Sequence, residues 1–364
     1  MNMNISNEDA LRLNVLMQQP VEAVRINEST MTLYALLPDR ELNMRLSPNC
    51  NDERYLRQVR QLLSGFALNS PEGFPVYLQR WNRMGQIKSE KLEGLLKIGE
   101  PEAVLAVVQS QNLTYDIARR AWWCMTNSEN ACHLLEHQLV RDSELAKELV
   151  NFLIEFLPFE EDPLAMIKAA QQAVRAGVMQ EEELKSLWQK GKRRAGIRLG
   201  FLAANPTIVP EDITVEKKPK LLEELDDNNL RAGIEHLFGE SGQKFIKGML
   251  EVLDRIPNQD AAIFMCDTIH RYFQWANPLG LAPASWEAVP VFAQRLNETF
   301  GINVACMSAT NQAQWNAISE LALVSQNILN PILSQTDSVG TVMRKRLLPV
   351  TQNIQQRLEV LINK

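Results

Sequence analysis

Residues 143–205 read SELAKELVNFLIEFLPFEEDPLAMIKAAQQAVRAGVMQEEELKSLWQKGKRRAGIRLGFLAAN, and their period decides the fold class. Leu145, Leu149, Phe152, Leu153 and Phe156 recur at helical spacing, which predicts a helix with a wide apolar stripe. The breaks PFEEDP and GVMQ are short, as are GEP, QNLT, TNSE and VRDS upstream. From about Ser89 to Asn205 the chain therefore reads as segments of about 10–15 residues, the usual length of globular helices. Connections this short set neighbouring helices antiparallel and predict an array of helical hairpins, either HEAT-like or an irregular bundle. Thr126-x-x-Glu129 fits a capping box at one helix start.

Toward the N-terminus, SPEGFPVYLQRWNRMGQ (70–86) reads as an ordered connector. From Asp52, Leu56, Val59 and Leu63 form a helical stripe, with Gly65 as its expected stop. Before Asp52 the period falls to two. Met31, Leu33, Ala35 and Leu37 alternate with Thr30, Thr32, Tyr34 and Leu36, and Leu42, Met44 and Leu46 with Asn43 and Arg45, with Pro38-Asp39-Arg40 as the turn between them. Val24 and Ile26 can supply a third strand, giving a small antiparallel meander over 20–48. Ser6-x-x-Asp9 resembles a capping box for a first helix bearing Leu11 and Val15 on one face. Toward the C-terminus, residues 207–222 are rich in proline and charge and read as a linker. Beyond it, Trp315, Ile318, Ala322, Ser325 and Leu329 share one helical face, as do Val350, Ile354, Leu358 and Leu361. The expected fold is mainly α: an N-terminal domain over 1–206, then a bundle of about five helices over 223–364.

With 364 residues, 45% of them hydrophobic and 23% charged, the chain is ordinary for a folded globular protein. A net charge of −6 argues against general nucleic-acid binding. Glu8, Asp9 and Arg12 interrupt the first apolar run, so neither a signal peptide nor a membrane anchor is expected. The five cysteines (Cys50, Cys124, Cys132, Cys266 and Cys306) are odd in number, scattered and without CxxC spacing. That usage fits a reducing compartment, so the expected location is the cytoplasm.

The chemistry motifs are sparse. Neither GxxxxGK[ST] nor GxGxxG nor HExxH occurs. Gly239-Glu240-Ser241-Gly242 lacks the second glycine of a nucleophile elbow, where Gln243 stands. His133 and His137, four apart near Cys124 and Cys132, have metal-ligand spacing, yet both lie opposite the Ala131, Leu134, Leu135 and Leu139 face. A solvent-facing pair is the expectation, and no metal or cofactor is predicted. Cys266 and His270 share a face with Ile263 and Phe273 and read as a hydrogen-bonded core histidine beside a small apolar cysteine, not as a nucleophile and base. Cys50, ahead of a helix start, is the best-placed reactive thiol.

Two features point to binding. Lys190, Lys192, Arg193, Arg194 and Arg198 form a basic cluster, for which pairing with Glu181, Glu182 and Glu183 is the simpler reading and docking of an acidic partner or RNA the other. Arg119 and Arg120 precede Trp122 and Trp123, a combination enriched at interface hot spots. From Thr299 to Thr336 only Glu320 is charged. The amides of this stretch, Gln314 and Asn327 among them, suit an interface for self-association or a partner.

Several phrases occur together: DALRLNVLM (9–17), LSPNCNDERYLRQVRQLLSG (46–65), SPEGFPVYLQRWNRMGQ (70–86), GEPEAVLAVV (99–108), ARRAWW (118–123) and FLIEFLPFEEDP (152–163). Over about residues 8–205 the chain resembles the DsrS family, accessory proteins encoded with dissimilatory sulfite reductase in sulfur-oxidising bacteria. The resemblance implies a soluble cytoplasmic protein and a setting in sulfur metabolism, and it transfers no activity to particular residues. The combined expectation is a non-catalytic accessory or scaffold protein acting through protein contacts. The alternatives are a cysteine-based sulfur carrier or thiol enzyme, and a nucleic-acid regulator using the 190–198 cluster.

Overall fold

The computed structural model describes residues 5–68, 89–211, 213, 215, 220–223, 228–334 and 340–362. The 70–86 stretch, and residues 212, 214 and 216–219 of the expected linker, lie outside the described residues. Eighteen α-helices and one three-stranded antiparallel sheet make up the described structure, so the chain is mainly α with an N-terminal meander, as its periodicity requires. It divides into two compact units, Met1–Phe152 and Leu153–Lys364.

Unit 1 begins with α1 (Asn7–Met17), followed by β1 (Ala23–Asn27), β2 (Thr32–Leu36) and β3 (Glu41–Arg45). The strands pair in sequence order, with Val24 opposite Ala35 and Leu33 opposite Met44. The alternating residues Met31, Leu33, Ala35 and Leu37 are buried, which is the reason the register holds. α1 is rotated from the expected phase: Leu13 and Leu16 enter the core, while Leu11 and Val15 are 66% and 57% exposed. Ser6 caps α1 by accepting from the Asp9 amide. The Asp9 carboxylate, however, does not return the capping bond. It is fully buried and accepts from the Tyr55 hydroxyl at 2.5 Å and the Ser47 amide at 2.7 Å.

Then follow α2 (Asp52–Leu68), α3 (Ser89–Leu95), α4 (Pro101–Val108), α5 (Tyr115–Cys124), α6 (Ser128–Glu136), α7 (Gln138–Arg141) and α8 (Leu145–Phe156). α2 buries Leu56, Val59 and Leu63 and runs through Gly65. A mid-helix glycine costs about 1 kcal/mol, too little to stop a helix whose stripe is packed. The cap of α6 is Asn127, which accepts from the Asn130 amide, rather than Thr126, whose hydroxyl donates to the Trp122 carbonyl. The division between the units falls inside α8.

Unit 2 contains α9 (Pro163–Arg175), α10 (Glu181–Lys190), α11 (Ala195–Ala204), α12 (Asn228–Phe238), α13 (Glu240–Leu253), α14 (Gln259–Phe273), α15 (Val289–Phe300), α16 (Ala309–Leu321), α17 (Gln326–Leu333) and α18 (Gly340–Val360). α9 packs most closely on α11, skipping its sequence neighbour α10. A Cβ on Gly200 would stand 2.3 Å from the Ile167 carbonyl oxygen, so the two helices approach backbone to backbone. α11 continues onto α13 and α14. The expected boundary at 207–222 is therefore not where the compact units part. Prolines and charges mark a connecting segment, but the burial of Ala170, Phe201 and Leu202 against the later helices assigns α9 and α11 to the second unit. Among the described residues no helix is long and apolar enough to cross a membrane.

Candidate functional site

The basic cluster is set up by the end of one helix and the start of the next. α10 opens on Glu181, Glu182 and Glu183 and closes on Lys190, a charge order that complements the helix dipole. Gly191 then turns the chain toward α11. A Cβ there would stand 2.5 Å from Arg198 Cγ, so the close approach needs glycine. Arg194 ties this turn to the 3-10 turn Leu157–Phe159, donating to the Glu160 carbonyl at 3.0 Å and the Leu157 carbonyl at 3.4 Å.

Between these elements lies an open groove of about 670 Å³, within the roughly 300–1,000 Å³ of ordinary ligand sites. Leu157, Pro158 and Ile197 give it a carbon floor, and Lys190, Lys192, Arg193 and Arg194 line it with positive charge. Lys190, Lys192 and Arg193 are exposed, and among the described residues no carboxylate lies within 4 Å of them. The acidic start of α10 does not neutralise the cluster. Glu181 pairs instead with Lys185 at 2.5 Å, which lowers its carboxyl pKa.

Arg198 departs from this group. It is only 3% exposed, pairs with Glu251 and lies 4.5 Å over the Trp188 ring. Burial lowers its pKa, opposed by nearby Glu211. Trp188 in turn donates to Glu211 at 2.6 Å. Arg198 thus braces the floor from inside the fold and does not face a partner.

The other candidates do not assemble into a catalytic device. His137 lies beyond the end of α6, with Nε2 2.6 Å from the Val108 carbonyl oxygen, while His133 lies on the helix beside Glu136. Both are half-buried, so the pair is neither solvent-facing nor on one helical face; the Leu139 expected inside is 39% exposed. No group of three or more His, Cys, Asp or Glu side chains among the described residues has a metal-binding arrangement. The Cys124 thiol donates to the Val24 carbonyl at 3.6 Å, and its burial pushes its pKa up to about 12. Cys266 is fully buried with its pKa raised by that burial, and no hydrogen bond joins it to His270. The cysteine is a buried apolar neighbour as expected, whereas His270 is half-buried and its Nδ1 has no hydrogen-bond partner among the described residues. Cys50 is half-buried, and its thiol donates to the Asn51 carbonyl at 3.7 Å. Asn51 Oδ1 already accepts from the first amides of α2, Glu53 and Arg54.

Three of the four residues of the Arg-Trp motif are used internally, while Arg119 is exposed. Trp122 is buried and donates to Glu148, Trp123 donates to Glu41, and Arg120 pairs with Glu22 at 2.7 Å. In the charge-poor stretch, Trp315, Ile318, Leu321 and the segment Ala322–Val324 are fully buried, which accounts for much of the missing charge. Gln314 and Asn327 are half-buried on α16 and α17, and Glu320 pairs with Arg357 at 2.6 Å. What the sequence alone missed is the apolar floor, because Leu157 and Pro158 stand more than thirty positions before the cations they join. No family model, curated protein or solved structure matches the chain.

Proposed function

We propose that this chain is an accessory protein that holds a protein partner at the groove between the Leu157–Phe159 turn and the start of α11, in the sulfur-oxidising setting implied by the DsrS resemblance. The observation that carries this reading is the set of three exposed cations, Lys190, Lys192 and Arg193, beside a carbon floor and without an acidic neighbour among the described residues. Like charges gathered without counter-charge repel one another, and an interface that brings opposite charge relieves that repulsion. The test is a pull-down from cells growing on reduced sulfur, comparing the wild-type chain with Lys190→Glu/Lys192→Glu/Arg193→Glu. These side chains are exposed, so helicity should be unchanged while the captured protein is lost. Equal capture by both chains overturns the reading.

A further inference from the structure

The groove offers two chemistries side by side, and their combination narrows what fits it. Three exposed cations attract negative charge, but a purely electrostatic site needs no carbon floor. Leu157, Pro158 and Ile197 supply one, and none of the groove-lining residues is aromatic. A nucleic-acid track wants flat rings on which bases stack and a longer run of cations along the backbone. An inorganic anion would leave the floor unused. We infer that the occupant is an extended acidic segment of a protein that carries an aliphatic side chain: its carboxylates face Lys190, Lys192 and Arg193, and its aliphatic group covers Pro158 and the edge of Ile197. The inference deepens the partner-binding reading and rests on it.

The geometry supports this division of labour. Arg194 is committed to the carbonyls of Leu157 and Glu160, so it fixes the spacing between floor and cations instead of swinging out to the ligand. Arg198, buried against Trp188 and paired with Glu251, holds α11 in place behind the floor. The cations on the outer side are long and exposed, suited to meeting carboxylates in more than one geometry.

Fluorescence polarisation on the full chain tests it with labelled decapeptides of glutamate and aspartate. One carries two central leucines, the second serines in their place. Poly-uridine RNA and inorganic phosphate serve as competitors. The leucine peptide should bind about tenfold or more tightly than the serine peptide, the expected effect of covering one or two aliphatic groups. Binding should weaken with added salt and fall about tenfold or more in Lys190→Glu/Arg193→Glu. Pro158→Asp should bring the leucine peptide down to the affinity of the serine peptide. Ser186→Glu, an exposed change on α10 within the groove that leaves the turn untouched, should weaken both peptides. Equal binding of the two peptides, tighter binding of poly-uridine, or displacement by phosphate alone each overturns the inference. If neither peptide binds but the charge-reversed chain still loses its partner in the pull-down, this chemistry falls and the partner-binding reading stands.

Discussion

At the scale of single residues, the clearest demands come from buried polar groups. Asp9 is fully enclosed, yet the Ser47 amide and the Tyr55 hydroxyl both point at it. Asp9→Ala strands the Ser47 amide and leaves the Tyr55 hydroxyl only Ser6 Oγ at 3.3 Å, and a group that loses its buried partner costs about 1–3 kcal/mol. Chemical denaturation should show a loss of about 3 kcal/mol. Glu100 gives a pH-dependent case. Its carboxyl pKa is raised above 4.5 by burial, an effect that the neighbouring Arg60 opposes and does not cancel. A carboxylate that is harder to ionise when folded withdraws stability as pH rises through the carboxylate range, and contributes none of that penalty once protonated. Glu100→Gln should therefore be more stable than wild type at neutral pH, with the advantage vanishing in acid, as followed by thermal melts. Cysteine reactivity separates the thiols. Iodoacetamide at mildly alkaline pH should label exposed Cys306, while Cys124 and buried Cys266 react only after denaturation.

At the scale of elements, the α9–α11 contact tests how closely two backbones must approach. Gly196→Ala places a Cβ 3.3 Å from the Ile167 and Met166 side chains, which can give way, so its effect should stay within about 1 kcal/mol. Gly200→Ala meets the Ile167 carbonyl oxygen, which cannot yield without moving α9. Alanine gains about 1 kcal/mol in helix propensity, but overpacking costs about 1–3 kcal/mol, so net destabilisation is expected in urea unfolding. The same scale shows what periodicity can read. Helix existence, the strand meander and the positions of most breaks follow from apolar spacing and turn chemistry. Rotational phase and caps followed only in part: the stripe of α2 and the Ser6 cap are as expected, the phase of α1 and the cap of α6 are not. Leu11 and Val15 look as core-like as Leu13 and Leu16, and only their neighbours in space distinguish them. Thr126 and Asn127 are both cap residues by composition, Asn the better one; in the fold Asn127 caps α6 while Thr126 donates to the Trp122 carbonyl.

At the scale of the whole molecule, the groove shows why a site is only half legible. The cations announce themselves as a run of sequence, whereas the floor comes from a turn that long-range folding brings to them. The unit division was missed for a related reason. Composition marks where the chain is polar, but compactness depends on which apolar faces meet. The consequence is testable with fragments. A chain starting at Glu223 lacks α9 and α11, and so loses their packing against α13 and α14. It should melt broadly or fail to fold, whereas one starting at Ser143 should melt cooperatively by circular dichroism.

The strand meander of unit 1 has one more implication, for the order of events during synthesis. Its three strands pair with their immediate successors, and the unit is compact within Met1–Phe152. Hairpins and helices form within about 10 μs. A ribosome adding about 5–20 residues per second needs roughly 10–40 s to make the residues of unit 2. The first unit therefore has ample time to fold while the second is still being translated, and the nascent chain meets chaperones with its earliest apolar strands already hidden.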